Sequence, residues 1–195
     1  FRAVASDITT GEEVVLGSGD LAEAIRASLS IPGVFAPVEI DGRLLVDGGV
    51  ANNLPVNVAR QMGADVVIAV DISTPLRPKE VLQSSATISN QVLTILIQRN
   101  VQAQLKTLGA ADILVRPDMG SVKSMDFYGS GQAVRIGYSA AGNEKARLSD
   151  LSLNETEYGE HLAQRTRPSS DPLRIDYVKV ENRSKMSPRV IESQI

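Results

Sequence analysis

The sequence predicts an α/β fold in which a mainly parallel central sheet is covered by helices, and three features carry that prediction. Strand-like and helix-like segments alternate along the chain. The run Val66-Val67-Ile68-Ala69-Val70 has no polar alternation, as expected of a parallel strand covered on both faces. Residues 85–108 form the longest helical stretch, with Ile97, Val101, Leu105 and Leu108 on one face and Gly109 closing it, which suits a helix laid across a sheet.

The remaining elements follow in order. Residues 1–8 read as a strand, turned by Thr9-Thr10-Gly11 into a second at 13–16. Asp20 opens a helix, since Glu23 stands at capping-box spacing and Leu21, Ile25 and Leu29 share a face; Pro32 ends it. Strands at 38–40 and 43–46 flank Asp41-Gly42, a pair suited to positive φ at both positions and therefore to a tight hairpin. The second of these strands runs directly into Asp47-Gly48-Gly49. Pro55 fits a first helical turn and Gly63 a C-terminal stop, which predicts a helix over 54–62. The apolar run then sits in a strand over 65–72. A short strand at 112–115, a loop-rich stretch over 117–131 and a helix over 139–148 follow. The polar, proline-bearing segment 166–172 reads as a linker. Beyond it come a strand at 173–180, a turn at Asn182-Arg183-Ser184 and a helix opened by Ser187-Pro188. So short a tail cannot build its own core and is expected to open a second domain.

Composition removes several classes of function. The 195 residues contain no cysteine, which excludes thiol nucleophiles, disulfide frameworks and cysteine-held metal clusters. A single histidine, His161, cannot build a multi-histidine metal site, so neither a metal nor a cofactor is expected. The net charge of −3 supplies no field for a phosphate backbone, and nucleic acid is not an expected partner. No apolar run reaches the length of a membrane-spanning helix. No signal peptide is read at Phe1-Arg2-Ala3-Val4-Ala5, which looks like sequence already inside a strand, as though the chain began within a domain. Chemistry here must use carboxylates, hydroxyls and amides.

Asp47-Gly48-Gly49 is the leading candidate for that chemistry, because it stands at a strand end, where ligand sites of open α/β sheets lie. Its two glycines would let the backbone turn sharply and leave room for a substrate. Spacing alone equally allows, and favours, a plain turn. Asn52 and Asn53 read either as cap and left-handed residues or as polar groups that order the acidic loop. Asp7, Asp71 and Asp112 read as surface caps of strands and turns. No nucleophile elbow of the form Gly-x-Ser-x-Gly occurs: Ser18 is flanked by Leu16 and Asp20, and Ser130 by Tyr128 and Gln132. Gly17-Ser18-Gly19 lacks the third glycine of a dinucleotide loop, and no phosphate loop is present, which disfavours a nucleotide-binding domain.

Longer motifs decide between the two readings of Asp47. Residues 27–38, Ala-Ser-Leu-Ser-Ile-Pro-Gly-Val-Phe-Ala-Pro-Val, and 45–56, Leu-Val-Asp-Gly-Gly-Val-Ala-Asn-Asn-Leu-Pro-Val, resemble the C-terminal half of a bacterial patatin-like phospholipase. Ala5-Ser6-Asp7-Ile8-Thr9-Thr10-Gly11 and Gly63-Ala64-Asp65-Val66-Val67-Ile68-Ala69-Val70-Asp71 are similar to the same family, so the resemblance spans about residues 1–150. It implies a three-layer patatin-like fold and a lipid acyl hydrolase with a Ser–Asp dyad. A serine on an elbow attacks an ester, and the aspartate of the Asp-Gly-Gly motif, here Asp47 supported by Gly48 and Gly49, is its base. The implied partner is a phospholipid or other fatty-acyl ester, which brings a membrane surface within reach, although no strongly amphipathic basic segment is found.

The family pattern also includes a glycine-rich oxyanion loop and the Gly-x-Ser-x-Gly elbow, and neither occurs in this sequence. The expectation is therefore a patatin-like domain truncated at its N-terminus over residues 1–165, with an exposed sheet edge. Such a chain is inactive alone and needs the missing N-terminal half. A catalytically dead lipid- or partner-binding module is the alternative. Residues 173–195 are similar to the opening of a polypeptide-transport-associated (POTRA) domain. That arrangement implies a secreted or outer-membrane protein of a Gram-negative bacterium, with the cytoplasm as the alternative.

Overall fold

The computed structural model describes residues 1–120, 122 and 127–165. The linker at 166–172 and the POTRA-like segment at 173–195 lie outside the described residues. The chain divides into two units, Phe1–Leu151 and Ser152–Ile195.

The first unit begins with two hairpins that pair into one sheet. Strand β1 (Ala3–Asp7) runs antiparallel to β2 (Glu13–Leu16), and β3 (Val38–Ile40) antiparallel to β4 (Arg43–Asp47). β1 and β4 also pair antiparallel, with Ala5 opposite Asp47, so the order is β2-β1-β4-β3. Two turns set these pairings. The Asp7 carboxylate accepts from the Thr9 N–H (2.9 Å) and hydroxyl (2.6 Å), and those bonds hold its pKa below the usual carboxylate range. In the second hairpin Asp41 and Gly42 have φ of 51° and 74°, the primed geometry whose twist matches the flanking strands.

Helix α1 (Leu21–Ser28) joins the hairpins, and its Asp20 cap accepts from the Glu23 N–H at 2.8 Å. The helix turns its small side to the sheet. Ala24 and Ala27 are buried, Ala27 packing in a core with Ala5, Val14 and Leu45, while Leu21, Ile25 and Leu29 face outward.

After Asp47 come two short helices, α2 (Gly49–Asn52), which the sequence did not predict, and α3 (Val56–Gln61), which is the predicted helix over 54–62 with slightly shorter ends. Pro55, with ψ of 62°, breaks them apart and caps α3, and Gly63 ends α3 at φ 89°. Strand β5 (Ile68–Val70) then leads through α4 (Ser85–Leu105) to β6 (Ile113–Val115), which pairs parallel to β5. Ser84 and Thr87 form a capping box at the start of α4. Its predicted face packs as expected: Val101 joins Leu54, Val56, Val67 and Ala69 in a second core, flanked by Ile97, Leu105 and Leu108. Helices α5 (Ser130–Asn143) and α6 (Lys145–Ser149) complete this unit. The second unit contributes α7 (Glu155–Arg165), which the sequence reading did not assign and which carries His161. Among the described residues no helix is long and apolar enough to cross a membrane.

Two expectations about the strands are corrected. A parallel sheet is present, but it is the two-stranded β5–β6 pair; the larger sheet is antiparallel throughout. The short connections of the β1–β2 and β3–β4 hairpins cannot carry a parallel crossover, whereas the long passage through α4 can. The run 66–70 is also not covered on both faces. Val67 and Ala69 are buried, but Ile68 and Val70 are each 50% exposed, because α4 covers only one side of the pair.

Asp112, expected at the surface, is buried at the entrance to β6. It accepts from the Gly109 N–H (2.7 Å), the Val67 N–H (2.8 Å) and the Arg60 guanidinium (2.6 Å). The two backbone bonds and then Arg60 hold its pKa below the ordinary value, so the ionised form belongs to the folded state. A depressed folded pKa contributes stability that is present above the unfolded value and is lost as pH falls through the folded one. Urea midpoints measured from neutral pH down to about pH 3 are therefore expected to drop more steeply for the wild type than for Asp112→Asn. The variant should begin less stable at neutral pH and converge on the wild type in acid.

Candidate functional site

Asp47 closes β4, and its backbone is fixed on both sides. Its N–H donates to the Ser30 carbonyl at 3.0 Å. Its carbonyl accepts from the Ser6 hydroxyl at 2.9 Å, with the Gly48 carbonyl 3.3 Å from the same oxygen. That hydroxyl accepts in turn from the Ala51 N–H at 2.9 Å, and Ser6 is only 1% exposed. One buried side chain of β1 thus ties the end of β4 to the first turn of α2.

The carboxylate lies in an open cleft of about 460 Å³ whose walls include Arg2, Ile25, Leu29, Gly48, Asn52 and Asn53. Oδ1 accepts from the Gly49 N–H at 2.7 Å. Among the described residues Oδ2 has no protein donor, and neither ion pair includes Asp47. Burial pushes its pKa above the ordinary carboxylate value, against the opposing Gly49 bond. The result is a half-buried carboxylate, one oxygen held and the other without a donor among the described residues, with enhanced proton affinity beside a cleft of mixed polar and apolar walls. Such a group can take a proton from a donor seated in the cleft.

Of the two roles expected of the glycines, a sharp turn and room, the backbone requires only the second. Neither has positive φ; Gly48 has an ordinary helical backbone, φ −61° and ψ −23°. Space is what they provide. A Cβ on Gly48 would lie 2.2 Å from the Val4 carbonyl oxygen, and one on Gly49 would lie 2.9 Å from Asp47 Oδ1 and 2.8 Å from Asn53 Oδ1. The obstacles at Gly49 are ends of side chains that can swing away, so Gly49→Ala is expected to cost little stability while displacing the carboxylate. Urea melts should stay close to wild type, and the NMR titration midpoint of Asp47 should move.

The asparagines do more than cap. Asn53 is not left-handed, with φ −78° and ψ −22°. The buried Asn52 side chain donates to the Glu13 carboxylate and, at 2.7 Å, to Asn57 Oδ1, linking α2 to β2 and α3. Sequence reading missed Ser6, whose only local signal is a hydroxyl amid the apolar residues of β1, and Asn100 on α4, which meets α2 across some fifty positions. His161 lies in the second unit, and Asp71 binds Ser73 and Arg116 at the end of β5.

Residues 5–60, which run from the middle of β1 through β2, β3, β4 and the Asp47 turn, match the family model of patatin-like phospholipases. These residues are therefore similar to a patatin-like phospholipase domain, and the fold that holds them mixes helices and strands and includes a parallel pair. Its relatives include NTE family proteins. An uncharacterized NTE family protein of Mycobacterium tuberculosis is 48% identical over 73 residues, covering 37% of this chain and 20% of that protein. An uncharacterized NTE family protein of Mycobacterium bovis is 41% identical over 80 residues, covering 41% and 14%. The patatin-like phospholipase domain-containing protein 7 of Mus musculus is 31% identical over 164 residues, covering 71% of this chain and 12% of that protein. The chain spans a fifth or less of the length of these relatives.

Proposed function

We propose that Asp47 is the general base of a lipid acyl hydrolase, a serine esterase or phospholipase that works through a Ser–Asp dyad. The observation that carries this reading is the free carboxylate oxygen of Asp47, its proton affinity raised by burial, in a cleft walled by Ile25 and Leu29. The match of residues 5–60 to patatin-like phospholipases supports it. A serine hydroxyl attacks the ester carbonyl of a fatty-acyl substrate while its proton passes to Asp47. The tetrahedral intermediate then expels the alcohol, which takes that proton, and leaves an acyl-serine. Water repeats the sequence and frees the fatty acid. A carboxylate is a weak base for a hydroxyl, so its raised proton affinity and the coupling of proton transfer to bond formation both matter.

The sequence holds no Gly-x-Ser-x-Gly elbow, so in this reading the nucleophile and the oxyanion donors come from polypeptide other than these 195 residues, and the chain alone is inactive. The same polypeptide completes a three-layer arrangement of helix, sheet and helix. The motif similarity at 173–195 extends the reading to a POTRA-like domain and a secreted or outer-membrane parent. The test is hydrolysis of a fluorogenic fatty ester, together with fluorophosphonate labelling, by the full-length enzyme, its Asp47→Asn variant and the isolated chain. Turnover by the isolated chain, or full activity of the variant, refutes the dyad; a full-length protein that neither labels nor hydrolyses is the inactive binding module instead.

A further inference from the structure

We infer that Asn100, on α4, is a positioning residue for the Asp47 carboxylate, acting through the one-turn helix α2. Its side-chain amide donates to the Gly49 carbonyl at 2.9 Å, with the Val50 carbonyl at 3.3 Å, while its Oδ1 accepts from the Asn53 N–H at 3.1 Å. The Asn52 N–H closes the turn of α2 on the Gly48 carbonyl at 2.8 Å, and Asn100 takes the next carbonyl and the next amide, those of Gly49 and Asn53. One carboxamide therefore spans the whole turn and pins it to the 21-residue helix α4.

So short a helix has little stability of its own and takes its geometry from what it is fastened to. Ser6 holds the turn from β1 through Asp47, Gly48 and Ala51, and Asn100 holds it from the opposite end through Gly49, Val50 and Asn53. Gly49 is the residue whose N–H binds Asp47 Oδ1, so its orientation sets where the carboxylate points and how strongly it is held. Asn100 is thus one residue removed from the proposed base without touching the cleft chemistry. Besides Asp47, the charged side chain on the cleft is Arg2 beside β1, with Glu13 of β2 behind Asn52; α1 presents Ile25, Ser28 and Leu29, and α2 Asn52, none of them titratable. All of these remain the same when Asn100 is replaced.

The inference gives catalytic meaning to Asn100 only if Asp47 is the base, as proposed above, but its structural content is tested separately. Carboxyl-carbon NMR titration and amide hydrogen exchange are measured on the full chain for wild type, Asn100→Ala and Asn100→Asp. Gln98→Ala serves as control, since Gln98 lies on the same helix and its side chain, among the described residues, donates to the Thr74 carbonyl rather than to α2. In Asn100→Ala the Gly49 and Asn53 amides should exchange about tenfold faster, and the Asp47 midpoint should rise as its Gly49 bond weakens. Asn100→Asp keeps an acceptor, so Asn53 stays protected while Gly49 does not. Gln98→Ala should leave all three readouts at wild-type values. In the full-length enzyme, Asn100→Ala should lower kcat with KM held and move the acid limb of kcat/KM to higher pH. Wild-type exchange at Gly49 and an unmoved Asp47 midpoint in both Asn100 variants would overturn the inference. If Asn100→Ala does not fold, Asn100→Asp alone decides through the Gly49 exchange. If instead these shifts occur but Asp47→Asn hydrolyses normally, the positioning stands and the dyad fails.

Discussion

Replacing Asp47 by Asn in the full-length enzyme is expected to lower kcat by about 10²–10⁴-fold, the range that a positioned general base contributes. KM should change little, because an asparagine fills the same volume and its Oδ1 can still accept from the Gly49 N–H. Stability should move in the opposite direction from activity. A carboxylate whose pKa is raised on folding contributes stability below its unfolded pKa and loses it as pH rises through the folded value. At neutral pH the ionised Asp47 therefore weakens the fold, and the amide relieves that. The variant should show a urea midpoint above wild type together with collapsed hydrolysis and slowed fluorophosphonate labelling. A parallel loss of stability and activity would point to a structural role for Asp47.

Gly48→Ala is expected to be the most damaging single substitution to the fold around the site, at about 3 kcal/mol, near the upper end for overpacking. The added methyl would meet the carbonyl oxygen and carbon of Val4 at 2.2 and 2.7 Å, and these belong to the backbone of a fully buried strand. No rotamer change relieves such a contact; β1 and the Asp47 turn must separate, which breaks the Ser6 bonds between them. Against a typical domain stability of about 5–15 kcal/mol, that loss should be plain in chemical denaturation. Comparable stability of wild type and variant would show that β1 and the turn are not packed as described.

Local chemistry made much of the fold legible. The Asp20 cap, the Asp41-Gly42 hairpin, the start of α4 at residue 85 and the Ile97–Val101–Leu105 face are each decided within a few residues, and each was found in its place or nearly so. Strand direction was not legible in the same way. The uninterrupted apolar run at 66–70 suggested a strand buried on both faces, but what covers a strand depends on partners distant in sequence. Asp47 itself stood out through its motif. Its supports did not, because Ser6 and Asn100 reach the turn from 41 and 51 positions away. For the glycines a sharp turn and room for a substrate were expected; their backbones need no positive φ, and the room they give is for a neighbouring strand and a carboxylate.

Helix α1 presents alanines to the sheet and leucine and isoleucine to the outside, where Ile25 and Leu29 border the cleft. Foundation and wall are thus written on opposite sides of one short element. Residues 25 and 29 can drift among bulky, small or polar types while Ala24 and Ala27 keep the helix seated. Homologous chains could accordingly diverge in what they admit beside Asp47 without renegotiating the architecture that holds it.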